Sequence, residues 1–147
     1  MKIMGLQKVK LGKTAKKFRL KLIMAFGSQV NGKTHPKSDL DIAVLFPSGD
    51  FTFKKYGELH SSLLDVFPGY EVDMVILNRA DPLLLKKINE NPLLLFGEKR
   101  DFDEFRIYAF NRYEDYRPYL AMEEKIVDNL VTEMRNEYRQ GSGKKKV

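Results

Sequence analysis

Three aspartates interrupt apolar runs of the chain, where carboxylates are normally rare. Asp39 and Asp41 open the run DLDIAVLF, and Asp73 lies within the run YEVDMVILN. An unpaired charge in an apolar setting costs several kcal/mol, and like charges about 4 Å apart repel one another by a similar amount. A divalent cation offsets both penalties, and all-oxygen ligation favours Mg²⁺ or Mn²⁺. These residue types therefore predict a metal site formed by the three carboxylates.

A Gly-Ser pair precedes the first two aspartates. Gly27 and Ser28 follow the apolar run LIMAF, and ten residues separate Ser28 from Asp39. Ser28 is expected to cap a short helix, whose free N–H groups and positive dipole end attract an anion. Gly27 lets the backbone approach a ligand without a side chain. The combination predicts a phosphate-binding turn opposite a metal site, which suits metal-assisted displacement at phosphorus.

Apolar periodicity predicts the elements that position these residues. A basic amphipathic helix is expected over about residues 12–21, and LIMAF is expected to be the first strand. The runs DLDIAVLF and YEVDMVILN form the second and third strands, with a helix from Phe53 to Phe67 between them. Because successive side chains of a strand point to opposite faces, Asp39 and Asp41 share one face.

The remainder of the chain is expected to be mostly helical. Asp81-Pro82 is typical of a helix start, and a short extended piece, PLLLF, follows that helix. A long helical pattern then pauses at Pro118 and resumes through Met134. We expect one domain, residues 1–138, with a core over 1–97, a C-terminal helical segment over 98–138 and a flexible tail over 139–147.

Composition limits the class of protein. The chain has no cysteine, which excludes disulfides and thiolate metal sites. Its apolar runs are too short to span a bilayer, and its N-terminus lacks the pattern of a secretory leader, so a cytoplasmic protein without membrane contact is expected. His35 and His60 are not at ligand spacing to each other, and both are expected to face solvent.

The N-terminal segment is strongly basic. Ten Lys or Arg residues precede Asp39, the first acidic residue. Such a segment could contact nucleotide phosphates, RNA or an acidic protein, although a solvated helix face is favoured over direct nucleic-acid binding. Four tyrosines of the C-terminal helical pattern could stack on a nucleobase, but aromatic residues at helical spacing more often belong to a core or an interface. These are Tyr108, Tyr113, Tyr116 and Tyr119.

Gly27-Ser28, the Asp39-x-Asp41 pair ten residues later and a strand Asp73 together resemble the active-site pattern of the polymerase-beta-type nucleotidyltransferase superfamily. The chain is most similar to the minimal nucleotidyltransferases (MNT), which are encoded beside HEPN-domain RNases as antitoxins. The resemblance extends to about Leu130. It implies an α+β nucleotidyltransferase fold, in which helices flank a mixed central sheet and a helical segment forms the C-terminus.

The resemblance also implies roles for individual residues. Asp39 and Asp41 would bind two Mg²⁺ ions, and Asp73 would complete the second site and help to deprotonate the acceptor hydroxyl. Gly27 and Ser28 would hold the phosphates of ATP.

One departure from the family pattern follows the Gly-Ser pair. Many relatives carry an arginine there, whereas this chain has Gln29-Val30-Asn31. Lys33 or Lys37 could replace that arginine.

The function implied is that of an antitoxin-type protein adenylyltransferase, which transfers AMP from ATP to a hydroxyl on a cognate HEPN toxin, and a tyrosine is the expected acceptor. Two alternatives remain. The chain could be a non-catalytic antitoxin that occludes the toxin, because so short a chain exposes its apolar C-terminal helices unless a partner covers them. It could also be a small-molecule nucleotidyltransferase, although the chain has no room for the second domain that usually shapes an acceptor pocket.

Overall fold

A computed structural model of the chain describes residues 3–32, 39–48 and 51–144. It divides into two compact units, Met1–Arg112 and Tyr113–Val147. The elements, in chain order, are α1 (Gly5–Lys17), β1 (Leu22–Phe26), α2 (Ser28–Asn31), β2 (Leu40–Leu45), α3 (Phe53–Val66), β3 (Val72–Ile76), a 3-10 turn (Leu77–Arg79), α4 (Pro82–Glu90), β4 (Leu93–Phe96) and α5 (Lys99–Lys144). No helix within the described ranges combines the length and the apolar character needed to cross a membrane.

The strands form a mixed sheet in the order β3-β2-β1-β4. β1 is antiparallel to both β2 and β4, whereas β2 and β3 are parallel. The end of β1 therefore lies beside the start of β2, and β3 starts at the same end of the sheet. The mixed sheet and its flanking helices confirm the predicted fold class.

Each face of the sheet is covered by its own apolar layer. On one face, α1 and α3 pack against side chains such as Ile23, Ile42 and Met74. On the other face, α4 and the first turns of α5 pack against side chains such as Met24 and Ala43. Fully burying one such aliphatic or Met side chain is worth about 1.5–3 kcal/mol, so the two layers hold the helices firmly on the sheet.

The first helix lies earlier in the chain than its apolar spacing predicted. It begins at Gly5, where the Met4 N–H donates to the Gln7 side-chain oxygen at 3.1 Å, and it ends at Lys17. Arg19 adopts a positive φ of 54°, a left-handed conformation that stops a helix. The prediction of a helix over residues 12–21 was therefore wrong at both ends, because periodicity locates a buried face better than a helix terminus.

Helix α5 is longer than expected. It runs through Pro118 without a break, although proline removes one intrahelical N–H donor. It also continues to Lys144, past the expected start of the tail at residue 139. Its first turns bury Phe105 and Ala109 in the core, and the first unit extends to Arg112.

Candidate active site

The candidate site lies at the end of the sheet where β1 ends and where β2 and β3 begin. Phe26 of β1 pairs with Asp41 of β2, and Asp41 pairs with Asp73 of β3. Side chains of paired residues in neighbouring strands point to the same face. Ala43 and Val75, two residues further along these strands, pack in the layer below α4. Asp41 and Asp73 therefore emerge side by side on the α4 face of the sheet.

Gly27 is packed directly against the carboxylate of Asp41. A Cβ atom at position 27 would collide with the Asp41 Oδ2 atom, and the glycine also has a positive φ of 79°. Its carbonyl accepts hydrogen bonds from the N–H groups of Val30 and Asn31, each at 3.2 Å. Gly27 is thus the cap of α2, and Ser28 is its first residue, which corrects the expectation that Ser28 is the cap. Only glycine satisfies both the backbone angle and the close approach.

Asp41 lies close enough to Asp39 and Asp73 for their charges to act on its carboxylate. Burial raises the pKa of Asp41 above its ordinary value, and the charges of Asp73 and Asp39 raise that pKa further. The nearby Lys87 acts in the opposite direction and lowers the pKa. The structure therefore brings together the residues that the sequence grouped, and it adds a lysine. A partly buried carboxylate beside like charges is typical of functional sites.

The family of this chain is shown by a sequence match that includes all the strands and the aspartates of the candidate site. Residues 9–101 match the family described as polymerase beta, nucleotidyltransferase. The chain belongs to this nucleotidyltransferase family.

Individual relatives sharpen that assignment. The protein adenylyltransferase MntA of Shewanella oneidensis is 28% identical over 113 residues, which cover 77% of this chain and 78% of the relative. A solved toxin–antitoxin structure with AMP-PNP is 27% identical with a TM-score of 0.67, and the match covers 84% of this chain and 98% of that one. A structure of the tri-AMPylated Shewanella oneidensis HEPN toxin with its MNT antitoxin is 25% identical with a TM-score of 0.63, covering 86% and 97%. The predicted resemblance to MNT antitoxins is confirmed.

The nucleotidyltransferase family implies a divalent metal, and the donor atoms of this site fit Mg²⁺. No group of three or more His, Cys, Asp or Glu side chains in the described ranges converges into a ready-made metal cluster. Mg²⁺ does not need one, because it usually binds one or two carboxylates and completes its shell with waters and substrate phosphates. Asp41 and Asp73, as paired residues on adjacent strands, supply such carboxylates.

Lys87 is the site residue that sequence reasoning missed. Leu85 and Ile88 of α4 are buried against the sheet, which orients the helix. At the C-terminus of α4, the Asn91 side chain donates a hydrogen bond to the Asn31 side chain of α2. Lys87 lies one helical turn before Asn91, so it belongs to the side of α4 nearest the Gly27 turn. The sequence predicts that Lys87 lies on a helix, but it does not predict that this helix brings Lys87 near Asp41.

The remaining candidate residues have mixed outcomes. His60 was expected to face solvent, but it is half-buried, and its Nε2 atom lies 2.9 Å from the carbonyl oxygen of Val72. Lys33, His35 and Lys37 lie outside the described residues.

The four tyrosines all belong to α5. Tyr108 and Tyr119 are exposed, whereas Tyr113 and Tyr116 are half-buried. The Tyr116 hydroxyl donates to Glu123 at 3.2 Å, and its ring stacks with that of Tyr119 at a centroid distance of 6.4 Å. Membership of a core or an interface, which the sequence favours over stacking on a nucleobase, stays a prediction for these tyrosines.

Proposed function

We propose that this chain is an antitoxin-type protein adenylyltransferase, which transfers AMP from ATP to a hydroxyl group, that of a tyrosine, on a cognate HEPN RNase toxin. The observation that carries this proposal is the contact of Gly27 with the Asp41 carboxylate, beside Asp73 on the next strand. Family membership and the similarity to MntA, to an AMP-PNP complex and to a complex with a tri-AMPylated HEPN toxin support the substrate and the partner. Because ATP is the substrate, we assign the reaction to the cytoplasm.

The reaction is a displacement at the α-phosphorus of ATP. The acceptor oxygen forms a bond to that phosphorus, and the bond from the phosphorus to the oxygen bridging the β-phosphate breaks. Pyrophosphate leaves with the bonding electron pair, and the hydroxyl proton goes to Asp73, which we assign as the general base. Asp39, Asp41 and Asp73 would hold Mg²⁺, which neutralises negative charge on the reacting phosphates when it is bound.

We assign the remaining phosphate contacts to the turn that faces Asp41. Gly27 and Ser28 would bind the phosphates through backbone N–H groups and the serine hydroxyl, as is common at a helix N-terminus. Lys87 would add a positive charge from α4, because its effect on Asp41 places it within electrostatic reach of the same centre. A lysine–phosphate contact is charge-assisted and therefore stronger than a neutral hydrogen bond.

We assign the second unit to recognition of the toxin. Among residues 113–143, no described side chain is buried. An exposed apolar set of this size marks an interaction surface. Its members are Tyr119, Met122, Ile126, Val127, Leu130, Val131, Met134 and Tyr138. A HEPN toxin is the occupant that we propose, because similar solved structures contain such a toxin together with an MNT antitoxin.

A transfer assay tests the proposal. The protein is mixed with the HEPN toxin encoded by the neighbouring gene, Mg²⁺ and ATP that carries a radioactive α-phosphate. We expect label on the toxin, no label with the double variant Asp39→Asn, Asp41→Asn, and full labelling with Asp65→Asn, a matched exposed acid on α3. An unlabelled toxin, or undiminished labelling by the double variant, would overturn the proposal.

Occlusion without catalysis is the second candidate, and the exposed apolar set of the second unit favours it. A growth assay separates the two functions in cells that express the toxin. If AMP transfer is required, the double aspartate variant fails to restore growth although it is produced at the normal level. Rescue by that variant would favour occlusion.

A further inference from the structure

Strand β3, which carries Asp73, lies at an edge of the sheet. Within the described residues it pairs with β2 alone. Carbonyl groups of successive residues in a strand point alternately to its two edges. The Glu71 carbonyl accepts from the N–H of Leu40 at 2.8 Å, and it therefore points towards β2. The carbonyls of Val72 and Met74, on either side of Asp73, consequently point to the outer edge.

Two side chains of α3 bind these outer carbonyls. His60 Nε2 lies 2.9 Å from the Val72 carbonyl oxygen, and because a carbonyl only accepts, this nitrogen carries the proton and donates. The Tyr56 hydroxyl donates to the Met74 carbonyl at 3.4 Å. The two rings are parallel within 2°, with centroids 6.3 Å apart.

The spacing of the two donors matches that of the two acceptors. Tyr56 and His60 are four residues apart on a helix, a rise of about 6 Å. Val72 and Met74 are two residues apart on a strand, a rise of about 6.6 Å. The buried Leu59 anchors α3 to the sheet between the two donors.

We infer that Tyr56 and His60 are positioning residues for Asp73, which clamp the backbone on both sides of this residue and so set the place of its carboxylate beside Asp41. This inference deepens the proposed function and depends on it. β2 holds only one edge of β3, and the opposite edge would otherwise be free to shift. A displacement of about 1 Å at a reacting group can lower a rate about a hundredfold, so the clamp acts on catalysis rather than on nucleotide binding.

The test compares a clamp variant with matched controls. Tyr56→Phe combined with His60→Leu removes both donors and keeps apolar bulk. Tyr56→Phe combined with His60→Gln restores a donor beside Val72. Ser61→Ala is the control, because it alters an exposed residue of the same helix. For each variant, kcat and the KM for ATP are measured with toxin and Mg²⁺, and melting is recorded. Affinity for Mn²⁺ in the presence of AMP-PNP is measured separately, by electron paramagnetic resonance, without toxin.

We expect kcat of the Leu-containing variant to fall by about tenfold or more, with a change in the KM for ATP of less than about threefold. Its Mn²⁺ affinity should also fall, the Gln-containing variant should recover part of both losses, and Ser61→Ala should match the wild type. Unchanged kcat and Mn²⁺ affinity in a folded variant would overturn the inference, as would equal losses with Leu and Gln. If the wild type transfers no AMP but the clamp variant still loses Mn²⁺ affinity, the proposed function fails and the positioning of Asp73 stands.

Discussion

The two units differ in how far they bury the apolar side chains of α5. In the first unit, Phe105 and Ala109 of α5 are 5% and 0% exposed, because they pack beneath the sheet. In the second unit, Ile126 and Leu130 of the same helix are each 53% exposed. Apolar residues that a fold does not bury contribute little to its stability, so their presence is better explained by binding.

This contrast suggests that the two units have different functions. The first unit contains the acidic centre and the glycine turn, both held by strands whose apolar side chains are buried. The second unit contains none of the residues predicted to bind metal or phosphate. We therefore expect substitutions in the first unit to change AMP transfer and substitutions in the second unit to change affinity for the toxin.

The largest effect is expected from Asp41→Asn. Loss of this charge should lower AMP transfer by about a thousandfold or more, because the carboxylate lies at the centre of the acidic group. Binding of the toxin, measured by calorimetry, should stay within about twofold of the wild type. Asparagine has nearly the same size and shape as aspartate, and the second unit is unaltered. A comparable loss of toxin affinity would contradict the division between the units.

Gly27→Ala should have the next largest effect. The added Cβ collides with the Asp41 carboxylate and strains a positive φ, so we expect transfer to fall by about a hundredfold and the KM for ATP to rise. Gly57→Ala is the matched control, since position 57 has open space and lies within α3. Steady-state kinetics of both variants test this prediction, and equal activities would refute it.

The double substitution Ile126→Asp, Leu130→Asp tests the second unit. Charges placed in an apolar contact surface should weaken toxin binding by about thirtyfold, which corresponds to about 2 kcal/mol. Nucleotide affinity, measured by fluorescence with a labelled ATP analogue, should not change. Lys125→Ala, at an exposed position beside this surface, serves as the control. Full toxin affinity of the double variant would show that the toxin binds elsewhere.

A smaller effect is expected from Lys87→Met. Removal of the proposed phosphate contact should raise the KM for ATP by about tenfold and leave toxin affinity unchanged. Lys99→Met, at the exposed start of α5, provides a lysine of the same unit for comparison. If both variants bind ATP equally well, Lys87 is not a phosphate ligand.

The smallest effect concerns stability. The raised pKa of Asp41 means that the fold disfavours its charged form, so this group begins to reduce stability as the pH rises through the ordinary pKa of an aspartate, and the loss is complete above the raised pKa. Asp41→Asn should therefore raise the melting temperature at neutral pH by a few degrees, although it abolishes transfer. The gain should disappear as the pH falls below the ordinary range of an aspartate. Calorimetric melting curves in the presence of EDTA across this pH range provide the test, and a lower melting temperature at neutral pH would contradict the prediction.

Local sequence patterns were sufficient to predict some features of the candidate site. A period of two along DLDIAVLF put Asp41 on one face and Leu40 on the other, and the register of β2 agrees with this assignment. A close backbone approach at Gly27 was also predicted, although the expected neighbour was a ligand and the structure shows the Asp41 carboxylate there. The alternation along β2 depends on residues adjacent in the chain, whereas the contact of Gly27 with Asp41 depends on the pairing of β1 with β2.

Helix termini were harder to predict than helix faces. The apolar spacing of Leu11 and Ala15 correctly identified the buried face of α1. Its ends depend on the cap at Met4 and on the left-handed Arg19, which a search for apolar periodicity does not detect. Residue type alone likewise suggested a break at Pro118 that the helix does not have.

The sequence alone determined the chemical character of this protein, namely which residues are acidic, where a glycine turn follows an apolar run and which runs become strands. These properties follow from residue type and short-range periodicity. Tertiary structure alone decided that Asp73 lies beside Asp41, that Lys87 lies near enough to lower the pKa of Asp41 and that His60 binds the edge of β3. Each of these contacts joins separate elements, and its position depends on sheet order and helix packing, which no local pattern encodes.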